Sequence, residues 1–201
     1  MHTTESGGAA KPARHDLYCG IHKALRLFMT DTLARVGRLD LGDAAERAET
    51  LGQLRRLLNS CRGHVERENG FIHPALEARR PGVSATIGAE HDDHLEAIAA
   101  LEAETAALAA RPEPAAALRL YRRLSRFVAE NFEHMLIEET RHNAALWEAY
   151  DDAELEALHG RLVASVPAEE MQLLLSWMLA ALSPAERAHL QAAPVAEGSL
   201  A

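Results

Sequence analysis

Apolar residues recur three and four positions apart along four long stretches of the chain, which is the spacing of one face of an α-helix. These stretches run from Leu17 to Val36, from Leu51 to Val65, from Ile87 to Leu108 and from Leu118 to Met135. Pro and Gly residues separate them, and the connections are short. Because long helices with short connections pack as antiparallel neighbours, the pattern predicts an all-α fold, an antiparallel up-down four-helix bundle.

Three of these helices have recognisable start or stop signals. Asp43 followed by Glu46 resembles a capping box for the second helix, and Pro74 is expected to help end it. Ser84 could cap the third helix, and Pro114 suits the first position of the fourth.

Beyond residue 150 the helical period weakens, and three shorter helices are expected over residues 152–166, 167–182 and 183–191. The last of them opens on Ser-Pro-Ala-Glu, a good helix-start signal. The predicted organisation is a flexible leader over 1–13, the bundle over 14–150, a C-terminal helical extension that packs on the bundle over 151–193, and a flexible tail over 194–201. The extension could also form a homodimer contact.

Composition and charge narrow the class of protein. Aromatic residues are only 4% of the 201, which favours helices over strands, and a net charge of -9 argues against a nucleic-acid binder. The longest apolar stretch, 173–182, is too short for a bilayer, and no signal peptide is visible, so we expect no membrane partner and a cytoplasmic location. Cys19 and Cys61 are isolated, which argues against a disulfide framework or a zinc knuckle.

The chain contains 11 His residues, and their spacing repeats. His64 and Glu68 are four positions apart, as are His134 and Glu138, so each imidazole shares a helix face with a carboxylate. Another His lies 42 positions before the first pair, at His22, and 43 positions before the second, at His91. Equivalent residues are therefore 69 or 70 positions apart, as expected for two helical hairpins related by a pseudo-two-fold axis.

Four imidazoles and two carboxylates that meet in a bundle suit a dinuclear metal site. Buried carboxylates cost several kcal/mol without a partner, and two cations would offset that cost. Imidazole and carboxylate suit iron, manganese or zinc, and the residues alone do not choose among them. A lone His on an apolar face is more often structural, so the hypothesis depends on the repeated set. A ferritin-like carboxylate site is a weaker alternative, because two of its Glu-x-x-His matches fall in the tail helices.

The segments that carry this set are IHKALR around His22, HVERENGFIHPAL around His64, EHDDHLEAI around His91 and HMLIEETRHNAALW around His134. Over about residues 15 to 150 they resemble the hemerythrin-like, or HHE cation-binding, family, in particular bacterial members with a C-terminal helical extension. The resemblance implies a four-helix bundle that holds two non-haem iron ions bridged by carboxylates and by an oxo or hydroxo group. It implies terminal ligands at the four His residues, and bridging ligands at Glu68 and Glu138.

The sequence also departs from the family pattern. His94, three positions after His91, could be a fifth ligand, a replacement for His91 or a hydrogen-bond donor, and the repeat spacing favours His91. Glu139 is the second Glu that family members often carry after HxxxE, whereas Asn69 occupies the matching position of the first pair. These departures argue against reversible oxygen carriage more than against metal binding.

Three further side chains are candidates for the surroundings of the site. Tyr18, one turn before His22, could donate a hydrogen bond or a proton to an oxygen species, although packing is the expected role. His73 is expected at the rim of the site. His142 could line an access route but is expected to be exposed.

The expected function is therefore that of a di-iron protein that binds or senses O2, NO or iron itself. The alternative is a di-iron oxidoreductase that handles peroxide or nitric oxide, or a factor for iron-sulfur repair under nitrosative stress. No flavin or redox-cysteine motif is visible, which favours the binding or sensing role. A helical interaction protein with structural His residues is the third hypothesis.

Overall fold

A computed structural model describes residues 14–192, so the predicted leader over 1–13, the tail over 194–201 and residue 193 of the extension lie outside the described residues. Within the described range the chain is helical and contains no strand. The helices are α1 (Cys19–Gly37), α2 (Ala44–Arg67), α3 (His73–Arg79), α4 (Ala85–Ala110), α5 (Pro114–Ile137), α6 (Asn143–Ala149), α7 (Asp152–Ala164), α8 (Ala168–Ala181) and α9 (Pro184–Ala192). None of the described helices has the length and apolar character needed to cross a membrane.

Two π turns interrupt the long helices, one over Glu68–Ile72 between α2 and α3 and one over Glu138–His142 between α5 and α6. The backbone N–H of His73 donates to the carbonyl of Glu68, and that of Asn143 donates to the carbonyl of Glu138, so each turn is one residue wider than an α-helical turn. The helical path therefore continues past Pro74, which was expected to help end it, as far as Arg79.

Each of the four longest helices packs against two of the others. α1 contacts α2 and α5, and α4 also contacts α2 and α5. Their contacts bury an apolar core, and each fully buried large side chain contributes roughly 1.5–3 kcal/mol. The core includes Leu25, Phe28, Leu54, Leu58, Ile98, Leu101, Leu124 and Phe127.

A second apolar cluster joins the first π turn and α3 to α6 and α7, and it includes Tyr18, Ile72, Leu76, Leu146 and Leu155. Along α1 and α2, His22 and His64 lie between residues of the main core and residues of this second cluster. The predicted ligands are thus placed where packed apolar side chains exclude water on both sides.

The three helices of the extension fall within a few residues of the segments expected from sequence. α8 packs on α1, where Trp177 stacks on Phe28 with ring centroids 4.3 Å apart and an angle of 15° between the planes. An ion pair between Arg67 and Glu170 joins α8 to the end of α2. The extension therefore contacts two of the helices that carry site residues.

Several helix caps follow the sequence signals, and one lacks the expected hydrogen bond. The carboxylate of Asp43 accepts from the backbone N–H of Ala45 and Glu46, as expected for a cap. Ser84 is the N-cap residue of α4, where the sequence placed it, but its hydroxyl makes no capping hydrogen bond and instead donates to Glu77, at 2.6 Å. Glu77 also accepts from the backbone of the turn that precedes α4, where Gly82 has a φ of 87°.

Candidate metal centre

Four imidazoles converge from four different helices. His22 on α1 and His64 on α2 form one pair, with their Nε2 atoms 3.2 Å apart. His91 on α4 and His134 on α5 form the other, with their Nε2 atoms 2.9 Å apart. All four are buried or nearly so. Because the two pairs come from the two halves of the sequence repeat, the fold brings the repeat together at one place.

The carboxylates of Glu68 and Glu138 lie between the two His pairs. One oxygen of Glu68 is 3.2 Å from Nε2 of His64, and its other oxygen is 3.3 Å from Nε2 of His91. Glu138 likewise has one oxygen 3.6 Å from Nε2 of His22 and the other 3.4 Å from Nε2 of His134. Each carboxylate therefore presents one oxygen to each pair, which is the arrangement a bridging ligand needs.

These carboxylates are fully buried, at 1% and 0% exposure, and none of their four oxygens has a hydrogen-bond partner among the described residues. A buried charge without partners costs several kcal/mol, and the surrounding imidazoles offset it only when they are protonated. The donor set of imidazole nitrogen and carboxylate oxygen suits borderline cations such as Fe, Mn and Zn. The ligand atoms cluster into two groups that share Glu68 and Glu138, and each group can hold one ion.

The charges of this cluster shift the pKa values of its members. Burial lowers the pKa of His64 to about 4. Burial also opposes protonation of His22 and His91, but the nearby carboxylates, which for His22 include the hydrogen-bonded Glu139, outweigh it and raise the pKa of each to about 9. In the same way, burial opposes ionisation of Glu68, but the neighbouring imidazoles hold its pKa well below the usual value. In the metal-free protein, protonated His22 and His91 therefore balance the two carboxylates.

Two of the inward-facing imidazoles are oriented by the residue that follows a buried Glu. The Nδ1 N–H of His22 donates to Glu139, at 3.0 Å, and Arg26 forms an ion pair with the same carboxylate. The Nδ1 N–H of His91 donates to the side-chain oxygen of Asn69, at 2.7 Å. A hydrogen bond on Nδ1 leaves Nε2 free to bind a cation.

A third imidazole has a partner on the neighbouring helix, because the Nδ1 N–H of His134 donates to Glu90 at 2.9 Å. Sequence reasoning placed Glu139 near the site but missed Glu90, Arg26 and the role of Asn69. One signal was available: Asn69 precedes Glu139 by 70 positions, which is the spacing of the repeat.

Two other sequence candidates lie beside the cluster. His94 is 5% exposed, and its ring lies against the ring of His134 at a centroid distance of 4.7 Å, outside the two groups of ligand atoms. Tyr18 is fully buried with its ring 5.2 Å from that of His22, and its hydroxyl has no partner among the described residues. Burial and the charges of the two buried Glu residues raise its pKa well above the ordinary value.

The structure corrects the expectations for His73 and His142. His142 is 1% exposed rather than solvent-facing, and His73 is also buried, at 8%. The ring of His73 stacks on that of His91, with a centroid distance of 4.8 Å and an angle of 4°. His73 directly follows the first π turn and His142 is the last residue of the second, and each turn begins at a buried Glu.

A groove runs between α4 and α5 on one side of the cluster. Of the six clustered residues, His134 lines it, together with His94 and several acidic side chains that include Glu90, Asp93 and Glu130.

Comparison with known proteins agrees with this geometry. No curated protein and no solved structure matches the chain at a significant level. The family model of the hemerythrin HHE cation-binding domain matches residues 19–146, which span α1 to α6 and include every residue of the cluster. The chain therefore belongs to the hemerythrin family of HHE cation-binding domains.

Proposed function

We propose that the protein holds two iron ions between the four long helices of an up-down bundle and uses them to bind or sense a small molecule such as O2 or NO. His22 and His64 would bind one ion, His91 and His134 the other. Glu68 and Glu138 would bridge them. The observation that carries this proposal is that each buried carboxylate presents one oxygen to each His pair.

Charge balance supports two cations at this place. The buried cluster contains two carboxylates with no hydrogen-bond partner, and a third carboxylate, that of Glu139, hydrogen bonds to His22. Cations would replace the protons that His22 and His91 otherwise bind. Iron follows from the family resemblance, whereas the donor atoms also suit zinc and manganese.

The surroundings support a small exogenous ligand. A pair of iron ions would supply an open coordination position and a change of oxidation state. Around that position the chain offers the hydroxyl of Tyr18, which has no partner among the described residues, as a hydrogen-bond donor, and the groove between α4 and α5 as an approach.

Metal analysis tests the first part of the proposal. Protein purified without chelator should contain about two iron ions per chain, the number that the six ligands accommodate. Metal-free protein whose stability does not change on adding Fe²⁺ would support the structural-histidine hypothesis instead. Rapid mixing of the reduced protein with O2 or NO should then give a stable spectroscopic adduct.

A di-iron oxidoreductase that handles peroxide or nitric oxide is the second candidate function, and Tyr18 is the observation that favours it. A buried phenol beside the ligand position can hold a proton ready for transfer. Continuous consumption of peroxide or NO, rather than a stable adduct, would identify this activity. Tyr18→Phe should slow such turnover while leaving the iron content unchanged.

A further inference from the structure

His73 and His142 form a second His-containing cluster next to the proposed dinuclear centre. One ring nitrogen of His73, one of His142 and one oxygen of Glu138 lie within 4.8 Å of one another. The two rings meet edge to face, with centroids 5.7 Å apart. None of the six proposed ligands other than Glu138 belongs to this group.

The nitrogens of this cluster are buried and lack partners. Nε2 of His73 and both nitrogens of His142 have no hydrogen-bond partner among the described residues. Each buried polar atom left unpaired costs about 1–3 kcal/mol. Burial lowers the pKa of both imidazoles.

The two residues come from the corresponding segments of the repeat but from neighbouring positions. His73 is five positions after Glu68 and His142 is four positions after Glu138, so the residue that matches His73 in the repeat is Asn143. His73 directly follows the first π turn, and His142 is the last residue of the second. Each half therefore delivers one more imidazole to the centre.

We propose that His73, His142 and Glu138 form a third cation site, for a divalent ion of the Fe, Co or Zn type. Two imidazoles and a carboxylate on one side of an ion, with open positions on the other, are a recognised ligand set for such ions. The site is weaker than the other two, because Glu138 is shared and the neighbouring cations repel a third one. Of the three residues of the third site, only Glu138 is also a ligand of the proposed dinuclear centre, so the third site rests on the proposed function through that residue alone.

Co²⁺ titration of chelator-stripped protein, followed by absorbance and by metal content after gel filtration, tests the proposal. The parent chain should bind about three Co²⁺ per chain, two tightly and one more weakly. His73→Ala and His142→Ala should each lose the weak equivalent and keep the two tight ones. Retention of the tight pair also shows that each variant folds.

His159→Ala is the matched control. His159 pairs with His15 at 3.1 Å, and neither residue belongs to the clusters of proposed ligands, so this pair tests whether an adjacent pair of imidazoles captures a stray ion. The control should keep all three equivalents.

Three results would overturn the third site. The parent chain could saturate at about two Co²⁺, the weak equivalent could persist in both variants, or either variant could lose the tight pair as well, which would make His73 or His142 part of the dinuclear centre. Failure of the proposed function is distinct, because in that case the parent chain would bind no Co²⁺ tightly.

Discussion

The two halves of the repeat build the same centre with different chemistry around it. The half formed by α1 to α3 supplies Asn69, which accepts from His91 of the other half. The half formed by α4 to α6 supplies Glu139, which accepts from His22 and pairs with Arg26. The partners therefore cross between the halves, but one is a neutral amide and the other a carboxylate.

This difference makes the two cation positions unequal. A carboxylate on Nδ1 increases the basicity of the imidazole and strengthens its hold on a metal more than an amide does. Each pair contains one imidazole with such a carboxylate, Glu139 on His22 and Glu90 on His134, so the two positions differ in the remaining imidazole, which for His91 has the neutral amide of Asn69 as its partner. His134 also lines the groove between α4 and α5.

Removing either of the two buried carboxylates should have the largest effect on metal binding. Glu68→Ala and Glu138→Ala should each lose both ions, because each Glu presents an oxygen to both His pairs. Metal content per chain is the measurement. Glu66→Ala is the matched control, since Glu66 is exposed on the same helix, and it should keep both ions. Loss of only one ion in Glu68→Ala would show that this carboxylate does not bridge.

Replacing His91 or His94 tests only the cation position that includes His134. His91→Ala should lose at least the ion held with His134, because Nε2 of His91 is the atom nearest to that of His134. His94→Ala should keep most of the metal, because His94 packs against the rings of His134 and Phe127 and lies outside the two groups of ligand atoms. If His94→Ala abolishes binding and His91→Ala does not, the assignment of the α4 ligand is wrong.

The metal-free chain should lose stability as the pH rises. The folded protein holds the pKa of His22 and of His91 at about 9, above the ordinary 6.5, so their stabilising charge is fully present below pH 6.5 and is lost towards pH 9. The loss is on the order of 3 kcal/mol for each group. Thermal unfolding across this range measures it. Glu139→Gln should make the decline smaller, because Glu139 is one of the groups that raise the pKa of His22. A thermal stability of the parent chain that does not change across this pH range would contradict the charge balance between the His and Glu residues.

Exchanging the hydrogen-bond partners of His22 and His91 should give the smallest effect on metal binding, and it tests each cation position separately. Glu139→Gln should weaken the ion held by His22 by roughly 10–100-fold, the usual cost of removing such a partner. Asn69→Asp should strengthen the other ion, because it gives His91 the carboxylate that His22 already has. Competition with a metal chelator measures both affinities. If Glu139→Gln lowered the affinity for both ions equally, Glu139 would not act on the His22 position alone.

Sequence periodicity located the four long helices and the three short helices of the extension, because burial of one face leaves a direct trace in the spacing of apolar residues. The six clustered His and Glu residues were found because their spacing repeats. The contacts of Glu90 and Arg26 could not be found in this way, since each joins two different helices and depends on how those helices pack.

The π turns account for most of what the sequence did not reveal. An extra residue in one turn leaves little trace in a periodic pattern, and it brings His73, five positions after Glu68, to the side of the helix that faces the centre. His142 was expected to be exposed, although it lies four positions after Glu138 and so shares a helix face with it. The hydroxyl of Ser84 makes no capping hydrogen bond because Glu77, seven residues earlier, accepts it instead.

The paired π turns also imply that the chain tolerates a change of length at these two points. Each turn absorbs one extra residue, so deleting one residue from it would restore a regular helix and leave the helix beyond in roughly the same orientation. After such a deletion in the first turn, His73 would lie four positions after Glu68 and would still share a helix face with it. His64 and His134 precede the turns and would keep their places.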